Sequence, residues 1–203
     1  MLLCGMCETA LPRNHGFFCS ICLARLPDRK LHCHPHGFLF GTATEYQEQA
    51  VRELILALKF RSARAAAEPL ARILAQYLRE LGAAPPDAIV VPLPLSRKRE
   101  RERGFNQAEL IARFAGTALG IPLVTNALTR TRDTKPQSDI RDHRERARNV
   151  RGVFSLTDAA LVRGRTVILI DDVRTSGATL AEAVGALRIA RPQRIIGVAV
   201  ARA

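Results

Sequence analysis

The chain has 203 residues, 47% of them hydrophobic and 25% charged, enough for one ordinary core with a small appendage and too apolar for a disordered polymer. Its formal net charge is +12, almost all of it from arginine, which attracts polyphosphates, nucleic acid or anionic surfaces unless arginine serves here only as the solubilising residue. No basic segment followed by an apolar run opens the chain, and no stretch reaches the ~18 apolar residues of a membrane span, so a cytoplasmic protein without membrane insertion is expected.

All five cysteines lie between residues 4 and 33. An odd number gathered at one end suits a metal site in a reducing compartment better than a disulfide framework. Cys4-x2-Cys7 and Cys19-x2-Cys22 each place two thiolates to share a tetrahedral ion, and two such knuckles close a structural zinc site with no open position. A zinc-ribbon-like module over residues 1–40, poor in large apolar side chains, needs such a metal to fold. His32-Cys33-His34-Pro35-His36 fits the remains of a second metal site, although one cysteine among clustered histidines is more often incidental. Zinc ribbons touch nucleic acid or protein in some chains and are plain folding staples in others, and nothing between Cys7 and Cys19 decides between the two.

Helical periodicity begins beyond residue 47. Val51, Leu54, Ile55 and Leu58 fall at i, i+3, i+4 and i+7, and Leu70, Ile73, Leu74, Tyr77, Leu78 and Leu81 repeat the stripe. Two amphipathic helices are therefore predicted, the second closed by Gly82 and Pro85-Pro86. Ala88-Ile89-Val90-Val91-Pro92 reads as a buried strand, and a helix begun near Asn106 carries Leu110, Ile111, Phe114 and Ala118. Residues 130–151 are too polar for a core connection and are predicted to form a mobile or functional loop with some helical character. Val167 to Ile170 is a second strand, residues 179–189 a helix, and Ile195 to Ala201 a third strand. Strands separated by helices imply an α/β fold, a parallel sheet with helices on both faces.

The second strand runs into Asp171-Asp172-Val173-Arg174-Thr175-Ser176-Gly177-Ala178-Thr179, and a turn between such a strand and helix lies where open parallel sheets bind ligands. Small residues at 175–178 let backbone N–H groups crowd an anion, the hydroxyls of Thr175, Ser176 and Thr179 add donors, and the helix directs its positive end at them. Two carboxylates beside a phosphate repel it unless they hold something else, and ribose hydroxyls are donors in search of acceptors. Asp171 and Asp172 thus point to a sugar phosphate. No Gly-Lys-Ser/Thr follows, so this is not a Walker loop.

The stretch from Val167 to Thr179 resembles the phosphoribosyl pyrophosphate loop of type I phosphoribosyltransferases, with Ser176 where that family most often has a second threonine. Leu58-Lys59-Phe60, Val91-Pro92-Leu93-Pro94, Arg103-Gly104-Phe105-Asn106-Gln107, then Gln137, Arg146, Asn149 and Phe154, together with the cysteine module, are similar to the competence protein F (ComF) family across nearly the whole chain. One departure is Ser138-Asp139-Ile140, where the family usually has a leucine three residues after Gln137. The resemblance implies a type I phosphoribosyltransferase-like domain over residues 41–203. It also implies that Asp171 and Asp172 act as catalytic residues, that residues 171–179 hold the phosphoribosyl group, and that Leu95, Ser96 and Arg97 form a pyrophosphate loop. Magnesium follows from the ligand, since Mg²⁺ bridges such phosphates while keeping several waters.

Several readings stay open at this level. Arg97 to Arg103 also fits an exposed, charged helical surface, and residues 130–151, with Lys135, fit either a lid over the phosphates or a solvated surface. One functional reading is an enzyme joining ribose 5-phosphate to a nitrogenous acceptor, with no residue standing out as general base. The other, implied by the competence family and favoured by the basic charge, is a protein that binds single-stranded DNA or the DNA-uptake machinery and keeps the phosphoribosyl site for ligand sensing. With no tryptophan and 5% aromatics, stacking platforms are sparse; Phe105 and Phe60 are the candidates, with core packing the expectation for Phe60.

Overall fold

Alternation of apolar side chains along the strands gives the sheet two buried faces, and everything else is arranged on those faces. The computed structural model describes residues 11–26, 34, 37–134, 140 and 142–203. In chain order these form β1 (Phe18–Cys19), β2 (Leu39–Glu45), α1 (Gln49–Phe60), a 3-10 turn (Arg64–Ala66), α2 (Ala67–Glu80), β3 (Ala88–Pro92), α3 (Arg97–Arg103) and α4 (Gln107–Leu119). There follow β4 (Leu128–Arg130), α5 (His143–Val150), β5 (Phe154–Leu156), β6 (Thr166–Arg174), α6 (Ala178–Arg188) and β7 (Arg194–Arg202).

The main sheet has the order β1-β2-β7-β6-β3. Strands β2, β7, β6 and β3 run parallel, and only the short edge strand β1 is antiparallel. Val90, Ile168, Ile170, Ile196 and Val198 enter one core with the buried stripes of α1, α2 and α4. Ile89, Val91, Val167, Leu169 and Ile195 enter the other with Leu180, Val184 and Leu187 of α6 and with Leu128 and Phe154 of the small antiparallel β4-β5 sheet. Helices cover both faces, the α/β arrangement that alternating strand and helix patterns imply. Among the described residues, no helix is long and apolar enough to cross a membrane.

Strand β2 has no counterpart among the sequence-predicted strands. Its Leu39-Phe40-Gly41-Thr42-Ala43-Thr44-Glu45 run is buried through Thr44 and pairs with β7 from Leu39↔Ile196 to Glu45↔Arg202. Small and hydroxylated residues obscure its apolar signal, and it passes through residue 40 without a break, tying β1 to the main sheet. Tyr77 of α2 donates a 2.6 Å hydrogen bond to the carbonyl of Gly16, a second tie between this N-terminal segment and the core. Burial raises the Tyr77 pKa above its ordinary value, which keeps the phenol a donor.

The strand β6 is longer than its apolar run. β3 pairs with it only as far as Pro92↔Ile170, whereas β7 continues alongside to Arg174↔Arg202. Asp171 to Arg174 therefore extend past the end of β3, held on one side and open on the other. Such an opening beyond the carboxyl ends of parallel strands is where this architecture receives ligands.

Candidate functional site

The acid pair stands on the overhanging end of β6. Asp172 has a side chain only 5% exposed, and its Oδ2 lies 2.9 Å from Nζ of Lys59 on the last turn of α1. The Asp171 carboxylate accepts from the backbone N–H of Asp172 at 2.8 Å, and the Asp172 carboxylate accepts from that of Val173 at 2.6 Å. Asp171 is raised from the ordinary carboxylate range to about 7, first by burial and then by the charge of Asp172, with Lys59 acting in the opposite sense. Of the two adjacent acids, Asp172 is paired to a lysine and Asp171 is the one whose ionisation burial opposes.

Arginines surround the pair. Burial lowers the pKa of Arg103 while the charge of Asp172 supports it, and burial lowers that of Arg130 while Asp171 and Asp133 support it; Arg99 opposes both. Arg103 ends α3 on the α1 side, whereas Arg130 ends β4 on the side of the small sheet, so the two acids serve opposite flanks of the strand end. Among the described residues, buried guanidinium nitrogens of Arg99 (Nη2), Arg103 (Nη1) and Arg130 (Nε) have no hydrogen-bond partner. Donors left unmatched in a part-buried setting suit an anion, since burying them without one is costly.

The turn after β6 is shaped by Gly177, which caps α6 at φ +78°. A Cβ there would come within 2.9 Å of Arg174 Nε, so the position admits glycine for both conformation and space. Thr175 to Thr179 are half-buried, and α6 carries no acid in its own first turn to offset its positive end. Arg174 itself does not face the turn's opening: it is 9% exposed, and its guanidinium stacks 3.9 Å over the Phe40 ring. It serves as a floor under Gly177.

Opposite, the segment after β3 is built by two caps. Ser96 is 2% exposed and caps α3 by accepting from the Arg99 backbone N–H, and Asn106 caps α4 while donating to the Leu93 carbonyl at 3.1 Å. Arg64 donates to the Gly104 carbonyl and lies over the Phe105 ring. These contacts explain locally why Arg103-Gly104-Phe105-Asn106 has those residue types. A cavity of about 180 Å³ lies beside this segment, lined by Pro94, Leu95, Arg97, Asn106, Thr129 and Arg130 among others. It adjoins the acid pair through Arg130 and does not include the turn at 175–179.

Near β1, Cys19, Cys22 and His34 bring Sγ and imidazole atoms within 4.8 Å of one another, with Cys19 Sγ 3.5 Å from His34 Nδ1. The knuckle is fixed by Leu23 and Cys19, whose backbone N–H groups donate to the carbonyls of Cys19 and Ala24. Two thiolates and an imidazole form a donor set suited to a metal ion such as zinc.

Residues 63–203 match the family described as phosphoribosyl transferase domain. The chain belongs to this family. It is 32% identical to the DNA utilization protein YhgH of Escherichia coli (strain K12), over 89% of this chain and 88% of that one. Over 48% of this chain and 42% of the other, it is 37% identical to competence protein F of Haemophilus influenzae. These relatives place it among ComF-type phosphoribosyltransferase-like proteins. Among solved structures, the glutamine phosphoribosylpyrophosphate amidotransferase from B. subtilis superposes on 66% of this chain and 26% of its own at a TM-score of 0.44 and 22% identity.

Within the phosphoribosyl transferase domain, the fold brings Asp171, Asp172 and the turn through Thr179 together at one strand end, and sets Leu95 and Arg97 on the cavity opposite. Ser96 is a buried cap. Cys4, Cys7, Lys135 and Gln137 lie outside the described residues, as do His32, Cys33 and His36. His34, set aside in the sequence reading as incidental, joins Cys19 and Cys22. The two phenylalanines exchange their expected places: Phe105 is 8% exposed beneath Arg64, while Phe60 is 71% exposed. Phe60 falls two positions beyond Leu58, the last residue of the buried α1 stripe, which turns it away from the core. Lys59 and Arg103 lie in the motifs Leu58-Lys59-Phe60 and Arg103-Gly104-Phe105-Asn106-Gln107 without a site role assigned to them there, Arg99 closes the basic segment that follows β3, and Arg130 opens the charged stretch 130–151.

Proposed function

We propose that the chain binds 5-phosphoribosyl pyrophosphate with Mg²⁺ at the overhanging end of β6. The observation that carries this reading is the adjacency of two carboxylates, Asp171 and Asp172, to the cations Lys59, Arg103 and Arg130. A sugar diphosphate needs both signs of charge at once: acceptors for ribose hydroxyls, and donors for the phosphates. The turn from Thr175 to Thr179 holds the 5-phosphate, and Leu95 and Arg97 face the pyrophosphate with its Mg²⁺, while Ser96 positions them by capping α3. In a transfer reaction a nitrogen nucleophile forms a bond to the ribose anomeric carbon as the bond to pyrophosphate breaks. Pyrophosphate leaves with the electron pair, and the arginines stabilise its growing charge. Cys19, Cys22 and His34 supply three of the four ligands of a tetrahedral structural zinc ion.

Calorimetric titration with phosphoribosyl pyrophosphate and Mg²⁺ tests the site. Saturable binding by the native protein, lost in an Asp171→Asn, Asp172→Asn double variant of unchanged circular dichroism, is the expected result. Absence of binding by the native protein overturns the reading.

A second reading, a DNA-uptake protein using the same site for ligand sensing, is favoured by the +12 charge and by the DNA utilization and competence names of the relatives. Its signature is binding of a labelled single strand that weakens steeply with salt and responds to phosphoribosyl pyrophosphate without pyrophosphate release.

A further inference from the structure

The parallel strands begin at the pole of the sheet opposite the acid pair, and Asp171 stands five residues along β6 from its first residue, Thr166, about 16 Å away. Several connections meet at that pole. The carbonyl of Arg191 accepts from the Gly164 backbone N–H and that of Arg165 from the Gln193 N–H, so the turns leading into β6 and β7 lie side by side. Antiparallel β1 runs toward the same pole beside the start of β2. There the Ser20 N–H donates to the Phe38 carbonyl, and Arg188 at the end of α6 donates to the Gly37 carbonyl at 2.6 Å. The cysteine knuckle and the C-terminal end of α6 are thereby brought to one face.

That face is both basic and apolar. Arg163, Arg165, Arg191 and Arg194 are exposed, and among the described residues Arg163, Arg165 and Arg191 take part in no ion pair. Asp87, just before β3, has its carboxylate engaged by the Thr166 backbone N–H at 3.0 Å. Of the five large apolar side chains exposed among the described residues, three stand here: Ile21 at 52%, Leu23 at 49% and Ile189 at 74%. Leu23 and Arg191 hold φ of +59° and +53°, a left-handed backbone that glycine or asparagine adopts at less cost. Folding alone gives no reason for a leucine half in water at such a turn.

We propose that this pole docks the protein peripherally on an anionic phospholipid surface, with Ile21, Leu23 and Ile189 entering the headgroup boundary and Arg165, Arg191 and Arg194 meeting the lipid phosphates. Aliphatic tips among arginines match the two parts of an interfacial lipid, an apolar chain and a charged phosphate. A nucleic-acid strand calls for stacking aromatics, whereas the large apolar side chains exposed on this face are all aliphatic. Docking in this way needs no spanning segment and leaves the acid pair directed away from the membrane, so the inference does not depend on what the acid pair binds.

Co-sedimentation with vesicles of mixed phosphatidylglycerol and phosphatidylcholine, and with vesicles of phosphatidylcholine alone, tests the face. The native protein is expected to sediment with the anionic vesicles and not with the neutral ones, and less so as salt is raised. An Arg165→Gln, Arg194→Gln variant is expected to bind about 25-fold more weakly, from about fivefold for each arginine. A Leu23→Asn, Ile189→Ser variant is expected to lose roughly tenfold or more with its thermal stability unchanged or raised, since asparagine tolerates the left-handed turn and both side chains lie largely in water. A face kept for packing would instead be destabilised by that variant with vesicle binding unchanged, which overturns the inference. Absence of binding to anionic vesicles by the native protein overturns it too. So does loss of a labelled single strand by the arginine variant with vesicle binding retained, which assigns the pole to nucleic acid. Phosphoribosyl pyrophosphate is expected to bind both variants as it binds the native protein, so a failure of the phosphoribosyl reading is seen separately.

Discussion

Lys59 Nζ lies 2.9 Å from Asp172 Oδ2, joining the end of α1 to the end of β6 by an ion pair in which the acid is 5% exposed and the lysine 20%. The contact closes one flank of the strand end and gives Asp172, of the two adjacent acids, a counterion.

Replacing Lys59 with methionine leaves Asp172 buried without its counterion. A fully buried pair broken on one side costs about 3–5 kcal/mol; the partial exposure of Lys59 reduces this to roughly 1–3 kcal/mol. Urea unfolding checks the value. A Lys59→Met, Asp172→Asn double variant is expected to recover part of the loss, because no buried charge then lacks a partner.

The raised pKa of Asp171, about 7, makes its proton part of the folded state. The unfolded carboxyl titrates near 3.9, so this contribution to stability is complete below that pH and is lost as pH rises through about 7. Asp171→Asn removes the ionisation cost. The variant is expected to gain thermal stability relative to the native protein as pH is raised from 4 to 8, while losing affinity for phosphoribosyl pyrophosphate. Melting curves across that range check the sign.

Gly177→Ala places a Cβ 2.9 Å from Arg174 Nε on a backbone at φ +78°. The left-handed conformation alone costs an L-residue about 1–2 kcal/mol, and displacement of Arg174 from Phe40 adds to it. Chemical denaturation is expected to show a loss of at least that size, and calorimetry a weakened 5-phosphate site, since the turn and its floor move together.

Zinc content tests the N-terminal cluster. One zinc per chain is expected by atomic absorption, and Cys19→Ala or His34→Ala should weaken retention against a chelator by more than the roughly 10- to 100-fold typical of losing an outer partner. Unaltered zinc content in His34→Ala would remove His34 from the ligand set and leave its approach to Cys19 as packing.

The stripes of α1, α2 and α4 and the apolar runs of β3, β6 and β7 were legible because each is set within a few residues by the repeat of its own side chains. The acid pair and the Thr-Ser-Gly turn were legible because their chemistry is local too: hydroxyls, a glycine and a helix start are consecutive in the chain. Strand β2 was not, since its Gly-Thr-Ala-Thr centre becomes buried only through the neighbouring β7.

By itself, then, the sequence determined the α/β pattern, the small hydroxyl-rich turn after β6 and the paired cysteines. Tertiary structure decided that Lys59 meets Asp172, that Arg103 and Arg130 take opposite flanks of the acids, that His34 joins Cys19, and that Phe60 faces outward and Phe105 inward. The physical reason is one of range. Periodicity and turn chemistry act between neighbours in the chain, whereas ion pairs, pKa shifts and burial depend on which distant segments the packed sheet brings to the same strand end.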